Sequence, residues 1–417
     1  MTSSWTRQLG TSSYEWGNDV TTDSSGNIYV TGYTGGGLDG NTSSGKEDIF
    51  LVKYNSSDSS GNIYVTGGTK QWTKQLGTSS TEWGNGVTTD SSGNIYVTGY
   101  TGGGLDGNTN SGKEDIFLIK YNSSGTKQWT QQLGTTLWDD GRGVTTDSSG
   151  NIFVTGKTEG GLDGNTSGDV FPGSGDIFLV KYDSSGTKQW TQQLGTTSSD
   201  YGFGVTTDSS GNIYVTGFTY GDLDGNTSSG SGDIFLVKYD SSGTKQWTKQ
   251  LGTSSLDVGI DVTIDSSGNI YVTGFTGGGL DGNTSSGKED IILVKYNSSG
   301  TKQWTKQLGT SSLDEGNDIT IDSSGNIYVT GYTGGGLDGN TSSGKNDIFL
   351  IKYNSSGTKQ WTKQLGTSTF EEGSGVTTDP SGNIYVTGGT LGGLDGNTSS
   401  GSGDIFLVKY NSSGIKQ

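Results

Sequence analysis

The sequence contains no cysteine and no histidine in 417 residues. Without cysteine, the chain has neither disulfides nor thiolate ligands for a metal ion. Without histidine, it lacks the side chain that most often serves as a general base and as a transition-metal ligand. Any catalytic chemistry would therefore depend on carboxylates.

Basic residues and long apolar runs are also scarce. The chain has 25 lysines and arginines against 43 acidic residues, for a formal net charge of −18. Because nucleic acids and anionic membrane surfaces repel such a protein, we expect neither as a partner. No apolar run is long enough to span a bilayer, so we expect no membrane insertion. The opening "MTSSWTRQLG" lacks the features of a signal peptide, which predicts either a cytoplasmic chain or a piece of a longer exported one.

Glycine and aromatic residues are abundant. Apolar residues make up only 27% of the chain, but it also has 77 glycines, 10 tryptophans, 20 tyrosines and 12 phenylalanines. Counted with glycine, the apolar share is ordinary for a globular protein. The composition therefore predicts a folded chain.

A long sequence motif recurs along the whole chain. Tryptophan in the context "QWT" occurs at Trp72, Trp129, Trp190, Trp247, Trp304 and Trp361. These positions are spaced by 57 residues, with one step of 61. The chain ends at "NSSGIKQ", one residue before the next tryptophan is due, and the missing tryptophan is Trp5 in "SSWTRQLG". Read as a circle, the sequence closes into seven repeats.

Each repeat carries four short runs with strand character, separated by turn signals. In the first repeat these are residues 19–23, 27–34, 48–54 and 70–77. Both faces of the second run carry bulky side chains, as expected for a strand buried on both sides. We therefore predict an all-β fold: a single closed seven-bladed β-propeller with four antiparallel strands per blade, in which an N-terminal strand at 5–10 completes the last blade.

The prediction treats residues 1–417 as one β-propeller domain. The expected blades span 18–77, 85–134, 142–195, 203–252, 260–309, 317–366, and 374–417 together with 5–10.

The repeat "GVTTDSSGNIYVTGYT…DIFLVKYNSSGTKQWTKQLGT" resembles the bacterial SBBP β-propeller repeat family, and more distantly the NHL repeats with their "VD-x-x-G-N-I-Y-V" core. The resemblance covers essentially the whole chain. It implies a propeller with a binding or scaffold role, on an exported or cell-surface bacterial protein. It implies no catalytic residues, so we expect an extracellular or cell-surface protein that is not an enzyme.

One repeat is longer than the others because of a duplicated segment. The sequence "DSSGNIYVTG" at 58–67 is identical to residues 23–32. It is either a tolerated loop insertion or an extra exposed strand through which copies self-associate as structural subunits. We expect a monomer rather than an oligomer.

The loops from the fourth to the first strand and from the second to the third strand lie on one side of a propeller, here called the loop face. The opposite side, the turn face, carries the short "DSSGN" and "NSSGTK" turns. Asp23 and its copies open the first of these turns, where we expect the carboxylate to cap its own backbone.

The long loop "GGGLDGNTSSGKED" is a candidate calcium site. Carboxylate and amide oxygens on a glycine-rich loop can supply ligands for Ca²⁺. The alternative is a turn in which Asp and Asn bond to the backbone. No cofactor is certain, and Ca²⁺ is possible. The candidate ligands are Asp39, Asn41 and Asp48, Asp106, Asn108 and Asp115, and Asp281, Asn283 and Asp290.

Aromatic rings next to acidic residues on the loop face suit a carbohydrate ligand. Alternatively, rings such as Trp16 and Trp83 pack the seams between blades. Departures from the repeat cluster in the third and fourth blades, and the Phe171–Pro172 insertion belongs to the same sector. The candidate ligand-binding residues are Trp138, Asp139, Asp140, Arg142, Tyr201, Phe203 and Tyr220.

The sequence thus favours a non-enzymatic propeller that binds or displays an unknown protein or carbohydrate ligand. A glycosidase would need one unique pair of carboxylates, whereas most acidic residues here recur in every repeat. The alternatives are a calcium-dependent carbohydrate-binding protein that uses the acidic loop face, and a self-associating structural subunit.

Overall fold

A computed structural model describes residues 5–55, 68–167 and 174–417. These residues form seven four-stranded antiparallel sheets, which are the blades of a closed β-propeller. The predicted fold class is therefore confirmed. The duplicated segment at 58–67 and the Phe171–Pro172 insertion lie outside the described residues.

The first strand of each blade is the innermost and contacts the first strands of the neighbouring blades. These inner strands are β2 (Glu15–Thr22), β6 (Glu82–Thr89), β10 (Asp139–Thr146), β14 (Asp200–Thr207), β18 (Asp257–Ile264), β22 (Asp314–Ile321) and β26 (Glu371–Thr378). The second strands are β3 (Ile28–Thr34), β7 (Ile95–Thr101), β11 (Ile152–Thr158), β15 (Ile213–Thr219), β19 (Ile270–Thr276), β23 (Ile327–Thr333) and β27 (Ile384–Thr390).

The third strands are β4 (Asp48–Tyr54), β8 (Asp115–Tyr121), β12 (Asp176–Tyr182), β16 (Asp233–Tyr239), β20 (Asp290–Tyr296), β24 (Asp347–Tyr353) and β28 (Asp404–Tyr410). The outer strands are β5 (Lys70–Leu76), β9 (Lys127–Leu133), β13 (Lys188–Leu194), β17 (Lys245–Leu251), β21 (Lys302–Leu308), β25 (Lys359–Leu365) and β1 (Thr6–Leu9). Blades 1 to 6 contain β2–β5 through β22–β25 in order, and blade 7 contains β26–β28 with β1.

The only helices that the described residues contain are single 3₁₀ turns in the long loops between second and third strands. They are Leu38–Gly40, Leu105–Gly107, Leu162–Gly164, Leu223–Gly225, Leu280–Gly282, Leu337–Gly339 and Leu394–Gly396. None of these helices is long and apolar enough to cross a membrane.

The hydrophobic core consists of clusters that lie between adjacent blades. One such cluster joins Tyr29 and Leu51 of blade 1 to Ile95 and Phe117 of blade 2. All seven residues of β3 are buried, as predicted for a strand enclosed on both faces. Each blade therefore supplies half of two neighbouring clusters, which makes the stability of the ring depend on its closure.

The turn between the first and second strands is held by its aspartate, as predicted. Asp23 Oδ1 accepts hydrogen bonds from the N–H groups of Ser25 at 3.0 Å and Asn27 at 2.9 Å. Asp23 Oδ2 accepts from Asn27 Nδ2 at 2.7 Å and from the Tyr29 hydroxyl at 2.9 Å. Gly26 has φ 78°, which a side chain would disfavour.

Closure of the ring by the N-terminal strand is confirmed. β1 pairs antiparallel with β28, with Thr6 opposite Val408 and Leu9 opposite Ile405. Trp5 N–H donates to the Gln417 carbonyl, so the two ends of the chain meet in blade 7. β28 therefore has a partner on both sides.

The inner strands begin earlier than the sequence analysis predicted. β2 starts at Glu15 rather than at Asp19. A β-bulge between Gly17 and Asp19 shifts the register with β3 and breaks the simple alternation of side chains. Residues that the repeat pattern assigns to a loop therefore belong to a strand beside the propeller axis.

Candidate ligand-binding site

A cavity of about 280 Å³ lies at the loop-face end of the inner strands. All seven blades contribute to it. Its lining residues are Trp16, Asn18, Asp19, Trp83, Asn85, Gly86, Arg142, Gly143, Val144, Phe203, Gly204, Val205, Ile260, Asp261, Asn317, Asp318, Glu372 and Ser374.

The blades are nearly identical elsewhere but differ at the positions that line this cavity. The fourth residue of the inner strand is Asn18, Asn85, Arg142, Phe203, Ile260, Asn317 and Ser374 in blades 1 to 7. The second residue is Trp16, Trp83, Asp140, Tyr201, Val258, Glu315 and Glu372. Seven similar strands therefore build an asymmetric cavity.

The rings at the cavity rim also pack the seams between blades. Tyr33 of blade 1 stacks on Trp83 of blade 2, with ring centroids 4.2 Å apart. Trp83 Nε1 donates a hydrogen bond to Glu47 at 2.6 Å. Trp16 occupies the space beside Gly389 of blade 7, where a Cβ atom would lie 2.0 Å from the indole. These contacts support the seam interpretation for both tryptophans.

Of the residues predicted in blade 3, the structure brings Asp140 and Arg142 together. Their side chains form an ion pair at 2.5 Å, and Asn85 Nδ2 donates to Asp140 Oδ1 at 3.0 Å. Burial raises the pKa of Asp140, and Arg142 opposes this effect. Of the pair, only Arg142 lines the cavity.

Asp139 lies apart from this pair although it precedes Asp140 in the sequence. It is fully buried and accepts hydrogen bonds from Thr135 N–H at 2.5 Å and from the Thr158 hydroxyl at 2.5 Å. Its contacts are structural. Trp138 is 41% exposed on the loop face, and Lys113 Nζ lies 5.2 Å from its ring.

The predicted residues of blade 4 form an aromatic cluster around Phe218. Tyr201 stacks on Phe218 at 4.7 Å, and Phe203 lies 5.8 Å from the same ring. Tyr220 contacts Phe218 edge-on at 5.3 Å and is 44% exposed. Arg142 lies 5.8 Å from the Phe203 ring, which joins this cluster to the cavity.

The candidate calcium ligands of blade 1 do not converge. Asp39 has φ 53° and accepts hydrogen bonds from Lys70 and Thr73 of the outer strand. Asn41 Nδ2 donates to the Leu38 carbonyl at 2.7 Å.

Asp48 is buried elsewhere, and its Oδ2 atom accepts from Ser44 N–H at 2.8 Å and from Gln75 Nε2 at 2.8 Å. In blades 2 and 5 the same contacts recur for Asp106, Asn108 and Asp115, and for Asp281, Asn283 and Asp290.

Across the described residues, no group of three or more acidic side chains is arranged to hold a metal ion. These contacts support the turn interpretation of the long loop, and calcium binding stays a prediction.

Sequence reasoning missed three aspartates of the cavity wall. Asp19, Asp261 and Asp318 occupy the fifth position of the inner strand in blades 1, 5 and 6, where the other blades have glycine. Burial raises the pKa of Asp19 to about 7, with Asp261 adding repulsion. The alternation of Asp and Gly at this one position was the available signal, but the position stood at the very start of the predicted first strand and was not considered as part of a site.

Most of the large apolar side chains exposed within the described residues lie on the loop face. They are Tyr14, Trp138, Tyr220, Leu313 and Leu391, each between 37% and 44% exposed. Ile415, at 61%, lies in a turn of the turn face. Exposed apolar residues gathered on one face mark an interaction surface more often than scattered ones do.

The protein is a β-propeller whose loop-face cavity is lined by different residues in different blades. The family model described as the SBBP beta-propeller repeat matches residues 4–39, 71–106, 128–163, 189–224, 246–281, 303–338 and 360–395. Each match runs from the outer strand of one blade through the first two strands of the next. The chain belongs to the SBBP β-propeller repeat family.

Two curated proteins are similar over about half of the chain. An uncharacterized WD repeat-containing protein, L264, of Acanthamoeba polyphaga mimivirus is 29% identical over 322 residues, which cover 58% of this chain and 23% of that protein. The regulatory protein FlaEY of Caulobacter vibrioides is 27% identical over 244 residues, 52% of this chain and 26% of that protein. The aligned region spans about a quarter of the length of these relatives.

Two solved structures align with this chain at low sequence identity. YCF48 bound to D1 peptide aligns with a TM-score of 0.48 at 12% identity, covering 99% of this chain and 96% of that one. Sqt1 from Chaetomium thermophilum aligns with a TM-score of 0.47 at 10% identity, covering 98% and 86%.

Proposed function

We propose that this protein is a non-enzymatic binding scaffold that holds a protein partner on its loop face. The observation that carries the proposal is the distribution of differences among the blades. The strands and the turns of the turn face are nearly the same in all seven, whereas the residues around the cavity differ from blade to blade. Variable residues presented by a rigid frame are the usual basis of specific recognition.

The exposed side chains of the loop face support a protein partner. Trp138 and Tyr220 are more than two-fifths exposed and flank the sector where the blades depart most from the repeat. Tyrosine and tryptophan are enriched at the centres of protein interfaces because they bury a large area with few rotatable bonds.

The test is partner retention by a loop-face variant. The variant carries Trp138→Ser and Tyr220→Ser, two changes of exposed side chains that should leave the fold intact. Its matched control is Gln128→Ala, an exposed outer-strand residue. Interacting proteins are captured with each variant, and the affinity of each captured protein is then measured in purified form.

A partner bound by the unmodified protein and by the control, but at least about 10-fold more weakly by the loop-face variant, supports the proposal. Equal affinity for all three proteins contradicts it.

Location and the alternative roles stay predictions. Display at or outside a bacterial cell surface rests on the family resemblance, and cell fractionation tests it. A glycan array with and without calcium tests the carbohydrate-binding role. Light scattering with and without residues 58–67 tests self-association.

A further inference from the structure

The backbone of the cavity wall shows a pattern of aspartate binding. The sixth residue of each inner strand has an N–H that, in four of the seven blades, donates to an aspartate carboxylate. The four donors are Val20, Val87, Ile319 and Val376. The propeller thus has a carboxylate-binding position at the same height in several blades.

Two of the three aspartates, Asp19 and Asp318, bind both their own blade and the next one, and Asp261 accepts from Ile319 N–H of the next blade at 3.3 Å. Asp19 accepts from Val20 N–H at 2.7 Å and from Val87 N–H of blade 2 at 2.7 Å. Asp318 likewise accepts from Ile319 N–H at 2.7 Å and from Val376 N–H of blade 7 at 2.5 Å. A carboxylate between two inner strands is therefore a repeated element of this cavity.

Blades 3 and 4 differ from the others because no aspartate occupies either position that could serve them. For Val144 the aspartate positions of its own blade and of the preceding blade hold Gly143 and Gly86, and for Val205 they hold Gly204 and Gly143. In the part of the chain that the structure describes, no carboxylate accepts from either N–H group. Two adjacent carboxylate-binding positions are thus left without an internal carboxylate.

Arg142 belongs to blade 3, and its guanidinium group reaches towards blade 4, 5.8 Å from the Phe203 ring. It immediately precedes Gly143 and is the only basic residue of the cavity lining. Its guanidinium group has five N–H donors, more than the ion pair with Asp140 uses. Guanidinium and backbone N–H groups together bind a carboxylate through charge-assisted hydrogen bonds.

We propose that blades 3 and 4 bind a carboxylate group of the ligand, with Val144 N–H, Val205 N–H and Arg142 as donors. This inference rests on the proposed binding function and names the chemistry that one part of the cavity recognises. The carboxylate comes from a small free acid or from the C-terminus of a partner chain.

The aspartates of the cavity repel a ligand carboxylate less than their number suggests. Asp19, with a pKa raised to about 7 by burial, is partly protonated at neutral pH. Burial and repulsion from Asp261 raise the pKa of Asp318 well above its usual value. The opposite wall therefore carries less negative charge than its composition indicates.

A substitution can place a carboxylate of the chain itself in the proposed site. A Cβ atom placed on Gly143 would lie 3.2 Å from Val205 N, so an aspartate there would have its carboxylate near that N–H, as Asp19 does with Val87. Because the same Cβ would lie 2.5 Å from the Phe203 carbonyl, Gly143→Asp requires a small backbone shift. Arg142→Gln provides a second variant without this strain.

The experiment titrates the purified full chain at neutral pH with four probes, followed by NMR or calorimetry. The probes are acetate, acetamide, and the tripeptide Gly-Gly-Gly with a free or an amidated C-terminus. We expect the two carboxylates to bind saturably and both amides to bind at least about 10-fold more weakly. Similar affinity of acetate and the free tripeptide identifies a small acid as the source, and tighter tripeptide binding identifies a C-terminus.

Arg142→Gln should weaken carboxylate binding by about 10-fold or more, and folded Gly143→Asp should abolish it. Arg7→Gln makes the same charge change at the only other arginine, on the outer strand β1, and should leave affinity unchanged.

The inference is overturned if neither carboxylate binds, if the amides bind equally well, or if Arg142→Gln has no effect. Such a result removes the carboxylate site alone, because the partner-retention experiment judges the loop-face proposal separately.

Discussion

The indole of Trp5 lies against the Cα atom of Gly68, so closely that a Cβ atom on Gly68 would be 2.0 Å from the ring. Trp5 belongs to blade 7 and Gly68 to blade 1. Each of the other six repeat tryptophans meets the equivalent glycine of the following blade, as Trp72 meets Gly125. The seam that closes the ring is therefore built like the six seams within the continuous chain.

Replacing Trp5 should destabilise the protein more than replacing an equivalent tryptophan. Trp5 is 2% exposed and belongs to a core cluster that joins blades 7 and 1. Trp5→Ala should lower the free energy of unfolding by about 3–5 kcal/mol, the usual cost of a buried Trp→Ala change. Trp361→Ala, at a half-buried position of β25, is the control and should cost less in urea denaturation. Equal losses of unfolding free energy in the two variants would show that the closing seam is no more important for stability than the others.

Removing residues 1–10 should expose β28 as an unpaired edge. Among the strands that the structure describes, β1 alone pairs with the outer side of β28, and an unpaired edge strand promotes association between chains. We expect aggregation or a large drop in melting temperature, measured by light scattering and calorimetry. A monomer with the original melting temperature would contradict the role of β1.

The turn aspartates should contribute unequally to stability because one blade lacks a tyrosine. Asp90 accepts from the hydroxyl of the buried Tyr96 at 2.9 Å, whereas the equivalent position in blade 3 is Phe153. Asp90→Ala should therefore cost about 1–3 kcal/mol more than Asp147→Ala, since it leaves a buried hydroxyl without its charged acceptor. Urea denaturation of both variants measures the difference. Equal losses of unfolding free energy would show that the Tyr96 hydroxyl bond contributes nothing.

Stability should fall as pH rises through neutrality. Burial raises the pKa of Glu372 to about 7 and that of Asp200 to about 6, in each case opposed by hydrogen bonds. A group with a raised folded-state pKa stabilises the fold fully below its unfolded pKa of about 4, and loses this contribution as pH rises through the folded value. We therefore expect the urea midpoint to decrease between about pH 5.5 and pH 8.

One variant and the behaviour at acidic pH separate this effect from other causes. Glu372→Gln removes one titrating group. It should therefore reduce the loss of unfolding free energy between pH 5.5 and pH 8 by about 1–3 kcal/mol. At the acidic end the trend should reverse, because hydrogen bonds from Asn94 and Tyr96 outweigh burial and lower the pKa of Asp90. A urea midpoint that rises steadily from pH 5.5 to pH 8 would contradict the assignment.

Calcium should change the melting temperature little. The carboxylate of Asp39 already accepts hydrogen bonds from Lys70 and Thr73, so a cation would have to displace a lysine. Melting curves with excess calcium and with a chelator test this expectation. A rise of many degrees would show native-state calcium sites, because a ligand stabilises the state it binds.

The architecture could be predicted from the sequence because the repeat carries the same information seven times. The spacing of Trp72 and its copies located Trp5 as the missing strand, and the pairing of β1 with β28 confirms it. The aspartate of the first turn could be predicted as well, since its partners lie within six residues of it.

The cavity could not be predicted because its contacts join residues that are distant in the sequence. Asp19 and Val87 lie in different blades, and their hydrogen bond depends on how closely two inner strands approach. The bulge after Gly17 also conceals the strand in the sequence pattern. Asp140 and Arg142 were predicted as part of one site, yet the side chain of the adjacent Asp139 lies among threonines.

Nearly identical blades raise a problem of order during folding. A strand could pair with the wrong copy of its neighbour at little energetic loss, and the irregular residues of the cavity rim counter this degeneracy. At the sixth position of the second strands, Gly389 of blade 7 is the one residue small enough to leave room for Trp16. At the same position of blade 1, Tyr33 stacks on Trp83. Side chains at the rim of the asymmetric cavity thus distinguish these two seams from the others, so that an exchange of blades there would create a clash that the native order avoids.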